Sequence, residues 1–492
     1  MESSMIVPPA GRVSLLDVFD VARKLEKIFL KKDGRRAEKI YVAHANYMRM
    51  RVAKIIYGDG TGYGERVRFY VPPEKDKEKQ RNLVYSLNCG SGPSLGIDQA
   101  RAAIFVRLLV LGRGHSGVRI EILDALADML NQNSVPEIPS LGSIGNSGDL
   151  VPSSYIPMKF MEKLELEGRE GLAIVNGTHF MTGIAALVLI DFTYILGILQ
   201  ELIAILFQCH RGIENVFAKK LHLLKKHKEQ REIAEIFMNA LYGSKSLKKI
   251  EDLINLTPEE LKETEPIQDR YSLRCLPQIW GPIVHRVRDS AGMVEDELNS
   301  VSDNPVIIGN DIGHGGHFDG SYVADAMNCL KLSMKRTGEI ARAYIRSTTD
   351  SKLNHDILPM YLVAGNDSLH NGLQGLAGLS VESVYNFLCK EAIPESLFTM
   401  SDNEGINQDI VSMGMNSALS ASRMNDLLRT IVAALAITTR QAVSLLKIED
   451  KLSPLTRNFF EKLAENIPFI DKDRSLHSDL RKLEGMLYRQ EL

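Results

Sequence analysis

Residues 184–207 read IAALVLIDFTYILGILQELIAILF, an apolar run broken by Asp191, Gln200 and Glu201. A stretch this long and this apolar either crosses a bilayer or fills the centre of a large helical bundle. The three polar interruptions favour the bundle. Working outward, apolar residues recur at three- and four-residue spacing over 98–112 and 117–131. Long helical segments are expected at about 179–223, 277–300, 322–347, 368–391 and 410–447. Helices of about 25 to 40 residues span roughly 40 to 60 Å. Strand signals are sparse, and no internal repeat is visible. The expected fold class is therefore mainly α. A small N-terminal mixed region, 1–175, carries irregular Gly-rich loops, and 176–492 forms an elongated central bundle of long helices with further helices after it.

Composition narrows the function classes. The 492 residues hold 59 Lys+Arg against 62 Asp+Glu, and this near balance gives no reason to expect nucleic acid or an acidic membrane as partner. The basic stretch 219–231 is mixed with Glu and His and reads as a solvated helix face. Five cysteines (Cys89, Cys209, Cys275, Cys329 and Cys389) lie far apart with no CxxC, which fits a reducing, cytoplasmic setting better than a disulfide framework or a zinc site. No signal peptide is evident in the first residues. His314-Gly-Gly-His317 lacks a clear third ligand, so no metal is expected. The Gly58–Gly64 loop lacks both the strand–loop–helix frame and the lysine of a phosphate-binding loop.

The chemically informative stretch is Gly142-Ser-Ile-Gly-Asn-Ser-Gly-Asp-Leu150. By itself it is a Gly/Ser turn. It sits between helices, however, and polar motifs recur in later interhelical loops, as though several segments converge on one site. These motifs are Tyr57-Gly…Thr61-Gly-Tyr-Gly64, Gln80-Arg-Asn-Leu-Val84, Asn176-Gly-Thr178, Gln268-Asp-Arg-Tyr-Ser-Leu-Arg-Cys275, Ser302-Asp-Asn-Pro305, Gly315-Gly-His-Phe318 and Asn407-Gln-Asp409. In type and order, along nearly the whole chain, they resemble the histidine and phenylalanine ammonia-lyase family, which also contains the 2,3-aminomutases.

The resemblance implies a 4-methylidene-imidazole-5-one (MIO) electrophile formed autocatalytically from Asn146, Ser147 and Gly148. In that family the glycine amide nitrogen attacks the carbonyl carbon of the first residue, and loss of water converts the serine to a methylidene. The residue types suit this chemistry: a glycine nitrogen approaches without a Cβ in the way, and serine supplies the leaving hydroxyl. The family usually has alanine where this chain has Asn146; cyclisation needs no atom of the alanine methyl.

By the same resemblance, the substrate amine attacks the methylidene and Tyr57 is the general base. Tyr271, Asn176 and Gln268 hydrogen-bond the amine, carboxylate or ring carbonyl. Arg274 is expected to grip the substrate carboxylate, because a guanidinium can make two charge-assisted hydrogen bonds. Phe318 is expected against the substrate or ring, and His317 stands where the family has Asn. Histidine-using members present a Ser-His pair and a late glutamate; this chain has Ser86-Leu87 and Gln408, which argues against an imidazole. Ser86 matches neither the aromatic nor the histidine that separates phenylalanine from tyrosine users. The resulting expectation is a carbon–nitrogen lyase converting an aromatic L-amino acid, tyrosine or phenylalanine rather than histidine, to an arylacrylate. The resemblance also implies a homotetramer with shared active sites. The alternatives are an MIO-dependent 2,3-aminomutase and a ring-less relative serving as a binding or scaffold protein.

Overall fold

The computed structural model describes residues 4–263, 268–365, 368–395 and 408–492, and Asn407 therefore lies outside the described residues. The chain is mainly helical. Its first helices are α1 (Leu15–Arg23), α2 (Gly34–Ala53), α3 (Asp76–Leu87), α4 (Ile97–Gly112) and α5 (Ile120–Asn131). The long ones are α6 (His179–Cys209), α7 (Leu276–Leu298), α8 (Ser321–Thr349) and α9 (Gly414–Leu446). Sheet structure among the described residues is confined to two-stranded pairs. β1 (Ser4–Val7) runs parallel to β2 (Lys27–Leu30), β3 (Ser91–Ser94) antiparallel to β4 (Pro139–Leu141), and β5 (Val306–Ile308) antiparallel to β6 (Asp311–Gly313).

The chain divides into two compact units, Met1–Ile190 with Asp289–Cys329 and Ile393–Ser422, and Asp191–Arg288 with Leu330–Ala392 and Arg423–Leu492. The boundaries fall inside or near the long helices. In the first unit, α1 starts with a capping box in which the Ser14 side chain accepts from the Asp17 amide and Asp17 reaches back to Ser14. Helix α4 is buried along most of its length, including Arg101 and Arg107. The Arg101 guanidinium donates to the carbonyls of Val21 and Ala22, at the end of α1, and of Leu130, at the end of α5. One buried cation thus satisfies orphan carbonyls at two helix C-termini, where positive charge is favoured. In the second unit, Phe207, Phe217, Phe237 and Trp280 form a chain of ring contacts with centroids 5.1, 5.4 and 5.9 Å apart.

Helix α6 is long and apolar enough to cross a membrane, yet 78% of its most apolar window is buried inside the protein. It ends earlier than the 223 expected. Arg211 adopts a left-handed φ of 50° and the Gly212 amide donates to Phe207 at 3.0 Å, a helix-ending turn. The 219–231 stretch, read as one helix face, is two helices, Lys219–His222 and Lys228–Leu241, with His222 buried. The segment expected at 368–391 is regular only from Val381 to Glu391, after a wide turn at Leu376–Ser380.

Candidate active site

The tyrosine loop follows α2. Its floor is Asp59, which is 6% exposed. Asp59 accepts from Tyr47 Oη at 2.8 Å and from Arg51 at 2.8 and 2.9 Å, both on α2. Arg51 also reaches Asp76 at the start of α3, at 2.8 Å. Removing Arg51 would leave the buried Asp59 carboxylate without its cation, at a cost of about 3–5 kcal/mol. Above this floor Gln80, fully buried on α3, donates to the Gly58 carbonyl at 3.2 Å and to Tyr63 Oη at 3.0 Å. Its carbonyl accepts from the Leu172 amide at 3.1 Å. Tyr57 sits edge-on to Tyr63, with centroids 6.4 Å apart, and its hydroxyl accepts from the Gly64 amide at 3.2 Å. The Tyr57 amide donates to His314 Nε2 at 3.5 Å, which gives that histidine a local partner. Burial pushes the Tyr63 phenol up.

The triad loop lies between β4 and α6. Gly148 pairs with Gly177 in an isolated parallel bridge, and the Asp149 amide donates to the Gly177 carbonyl at 2.9 Å. Gly148 has φ +75°, and a Cβ there would stand 2.2 Å from the Gly177 oxygen, so only glycine fits. The Asp149 carboxyl, fully buried, accepts from Ser143 Oγ and from the Met181 amide in the first turn of α6, each at 2.9 Å. Burial nevertheless pushes its pKa up to about 7. Asn176 Nδ2 donates to the Ser147 carbonyl at 2.8 Å, while its Oδ1 accepts from the Asn304 amide at 3.0 Å. The Ser302–Pro305 loop thereby sets the orientation of Asn176. Asn146 donates to Gln408 Oε1 at 2.5 Å, and its own Oδ1 accepts from the Ser147 amide at 3.1 Å.

Both loops face one cavity of about 820 Å³, within the size range of small-molecule sites. Its lining brings together Tyr57, Ser86, Leu87, Ser147, Asn176 and Gln408. Residues given no role in the sequence reading also line it: Lys79, Asn82 and Leu83 on α3, and Leu150 and Leu172. Lys79, Asn82, Leu83, Ser86 and Leu87 are spaced i, i+3, i+4, i+7 and i+8, one face of α3. That spacing was legible once the Gln80–Val84 motif was placed on a helix. Lys79 donates to the Asp59 carbonyl at 2.9 Å and lies 4.6 Å from the Tyr63 ring centroid. Burial lowers its pKa to about 8.

Gln268, Tyr271 and Arg274 belong to the second unit and are absent from this lining. They form a cluster of their own. The Arg274 guanidinium lies 4.9 Å from the Tyr271 ring centroid and donates to the Gln268 carbonyl. Gln268 and Tyr271 border a separate cavity of about 300 Å³ with His210, Lys248, Asp269 and His355. Phe318, half-buried in the loop after β6, is not in the lining of either cavity. No group of three or more His, Cys, Asp or Glu side chains among the described residues is arranged to hold a metal ion.

The sequence profile of the family described as "Aromatic amino acid lyase" matches residues 13–161 and 158–465. The chain belongs to that family. It is 31% identical to a "Tyrosine 2,3-aminomutase" of Chondromyces crocatus, covering 94% of this chain and 92% of the relative. It is 28% identical to a "Probable histidine ammonia-lyase" of Thermoplasma volcanium, covering 99% of both. Among solved structures, a tyrosine aminomutase from Streptomyces globisporus superposes with a TM-score of 0.90 at 29% identity, covering 99% of this chain and 97% of that one. Lyases and aminomutases therefore share this aromatic amino acid lyase fold.

Proposed function

We propose that the protein eliminates ammonia from an aromatic L-α-amino acid, with an MIO group formed from Asn146, Ser147 and Gly148. The observation that carries this reading is the convergence of Tyr57 and Ser147 on one cavity. The residues present fit the group: Gly148 lies against Gly177 where a Cβ has no room, and Asn176 already donates to the Ser147 carbonyl. When formed, the group supplies an electrophile that takes the substrate amine and makes it a better leaving group.

The chain's own residues do the rest. Tyr57 Oη, acting as phenolate, accepts the β-proton, the Cβ–H electron pair becomes the double bond, and the α C–N bond breaks with its electron pair leaving on the nitrogen, released as ammonia. General-base assistance of this kind contributes typically ~10²–10⁴-fold. Leu83, Leu87, Leu150 and Leu172 give the aryl ring an apolar wall. Ser86, in the cavity lining, donates its single hydroxyl proton to the Leu83 carbonyl at 2.9 Å, which leaves its lone pairs free to accept. That arrangement receives a phenol O–H and favours tyrosine over phenylalanine. Arg274, Tyr271 and Gln268 belong to the same reading through a homotetramer, in which the second unit of a neighbouring copy supplies the carboxylate grip and Phe318 helps enclose the substrate. A cytoplasmic setting accompanies it, supported by five unpaired cysteines.

A second reading is a 2,3-aminomutase, which re-adds ammonia at the β-carbon before the acrylate leaves. The resemblance to tyrosine 2,3-aminomutases over most of the chain favours it. Mass-resolved product analysis after incubation with phenylalanine, tyrosine and histidine separately tests both. An arylacrylate with ammonia supports the lyase, a β-amino acid moves the assignment to the mutase, and no product from any removes the proposal for these substrates.

A further inference from the structure

We infer that Gln408 is a positioning residue for closure of the triad, acting through the side chain of Asn146; this rests on the proposed MIO reading. Ring closure joins the Gly148 nitrogen to the Asn146 carbonyl carbon. The first water carries off the Asn146 carbonyl oxygen with the amide protons of Gly148 and Ser147, leaving a carbon–nitrogen double bond between residues 146 and 147. The second carries off the Ser147 hydroxyl and α-proton. The reaction is intramolecular and proceeds only from a bent loop, so its rate follows how firmly that bend is held.

The loop on either side of residue 146 is pinned through its backbone. The Ile144 carbonyl accepts from the Met413 amide at 3.0 Å, and the Gly145 carbonyl from Ser412 Oγ at 3.4 Å. The Ser147 carbonyl accepts from Asn176, and the Asp149 amide is tied to Gly177. Residue 146 is held differently, through its side chain. Asn146 Oδ1 takes the Ser147 amide proton, one of the protons that must leave, and Asn146 Nδ2 is fixed on Gln408 Oε1. An alanine here would have no side chain to misplace. Asparagine adds rotamer freedom that has to be restrained, and the restraint comes from the 408–413 segment that also holds Ile144 and Gly145.

The test is a double-mutant cycle read by intact mass, as the fraction of chains lacking two waters, with thermal melting as the folding control. Gln408→Leu is expected to slow closure about tenfold, as the loss of a well-placed hydrogen bond does. Gln408→Glu keeps the acceptor and should keep the ring. In the Asn146→Ala background Gln408→Leu should leave ring content unchanged. If Gln408→Leu folds poorly, Asn146→Leu replaces it, expected to lose the ring where Asn146→Ala keeps it. The inference is overturned if Gln408→Leu matches the parent in ring content, or if its loss is equally large beside Asn146→Ala. A parent chain of full mass would overturn the MIO reading itself, a result distinct from any difference between variants.

Discussion

The two loops that face the cavity are tied to the rest of the chain in different ways. The triad loop's own main chain is bonded to distant segments, Gly148 against Gly177, Asp149 on Gly177 and Ile144 on Met413, and side chains such as Asn176 add to this. The backbone bonds of the tyrosine loop stay local, as from Gly62 to Phe69 and from Val71 to Gly60, and its ties to α2 and α3 run through side chains, with Asp59 on Tyr47 and Arg51 and with Gln80 and Lys79 beside Tyr63. On the proposed reading the triad loop must react with itself, so its main-chain atoms have to be held, and backbone bonds set main-chain atoms most directly. A segment that presents a base to a substrate needs one side chain placed over a cavity, and side-chain contacts suffice.

That contrast can be broken from either side. Ser147→Ala removes the hydroxyl that leaves, so ring formation and turnover should both vanish, by mass and by product assay, with the melting temperature little changed. Tyr57→Phe should leave the ring intact and lower kcat by about 10²–10⁴-fold; an equal loss of ring content would merge the two loops' roles. Leu87→His alters the cavity wall alone. It should shift the ratio of kcat/KM values toward polar rings by about 10-fold, and an unchanged ranking takes Leu87 out of substrate contact.

Tyr63→Phe deletes a hydroxyl that accepts from Gln80 and donates to Gly58 at 3.3 Å. It should cost about 1 kcal/mol in denaturant unfolding without touching ring content. The smallest effect concerns Lys79, whose ordinary value of 10.5 falls to about 8 in the folded chain. Between those two values the unfolded chain holds a proton that the folded chain has released. Stability from this group therefore rises with pH across that window and is lowest below it. Lys79→Met should flatten the rise relative to the parent, by an amount reduced by the residue's partial exposure.

Much of this was legible in the sequence. Helices α4 to α9 follow from apolar spacing or from runs too long for anything but a core helix, and their observed ends lie within a few residues of expectation except where Arg211 turns α6. Helix α2 was not read as a helix. Its buried stripe, Ala37, Ile40, Ala43, Asn46, Tyr47 and Met50, includes two alanines and an asparagine, and apolar Tyr41, Val42, Met48 and Val52 lie on its exposed faces, so the apolar period is faint. Tyr57, Ser147, Asn176, Ser86, Leu87 and Gln408 were named from motifs, and one cavity gathers them. The partnership of Asn146 with Gln408 was not legible, because 262 positions separate them and only the folded chain brings their amides together. Nor was the backing of Asn176 by Asn304, which depends on a backbone amide that leaves no mark in composition.

The central claim, that the 142–150 loop is built to close on itself, is tested most directly by the mass of the purified protein and of its peptide spanning Asn146–Gly148. The account predicts a deficit of two waters confined to that peptide and absent from Ser147→Ala. A folded protein whose peptide carries its full mass would contradict it.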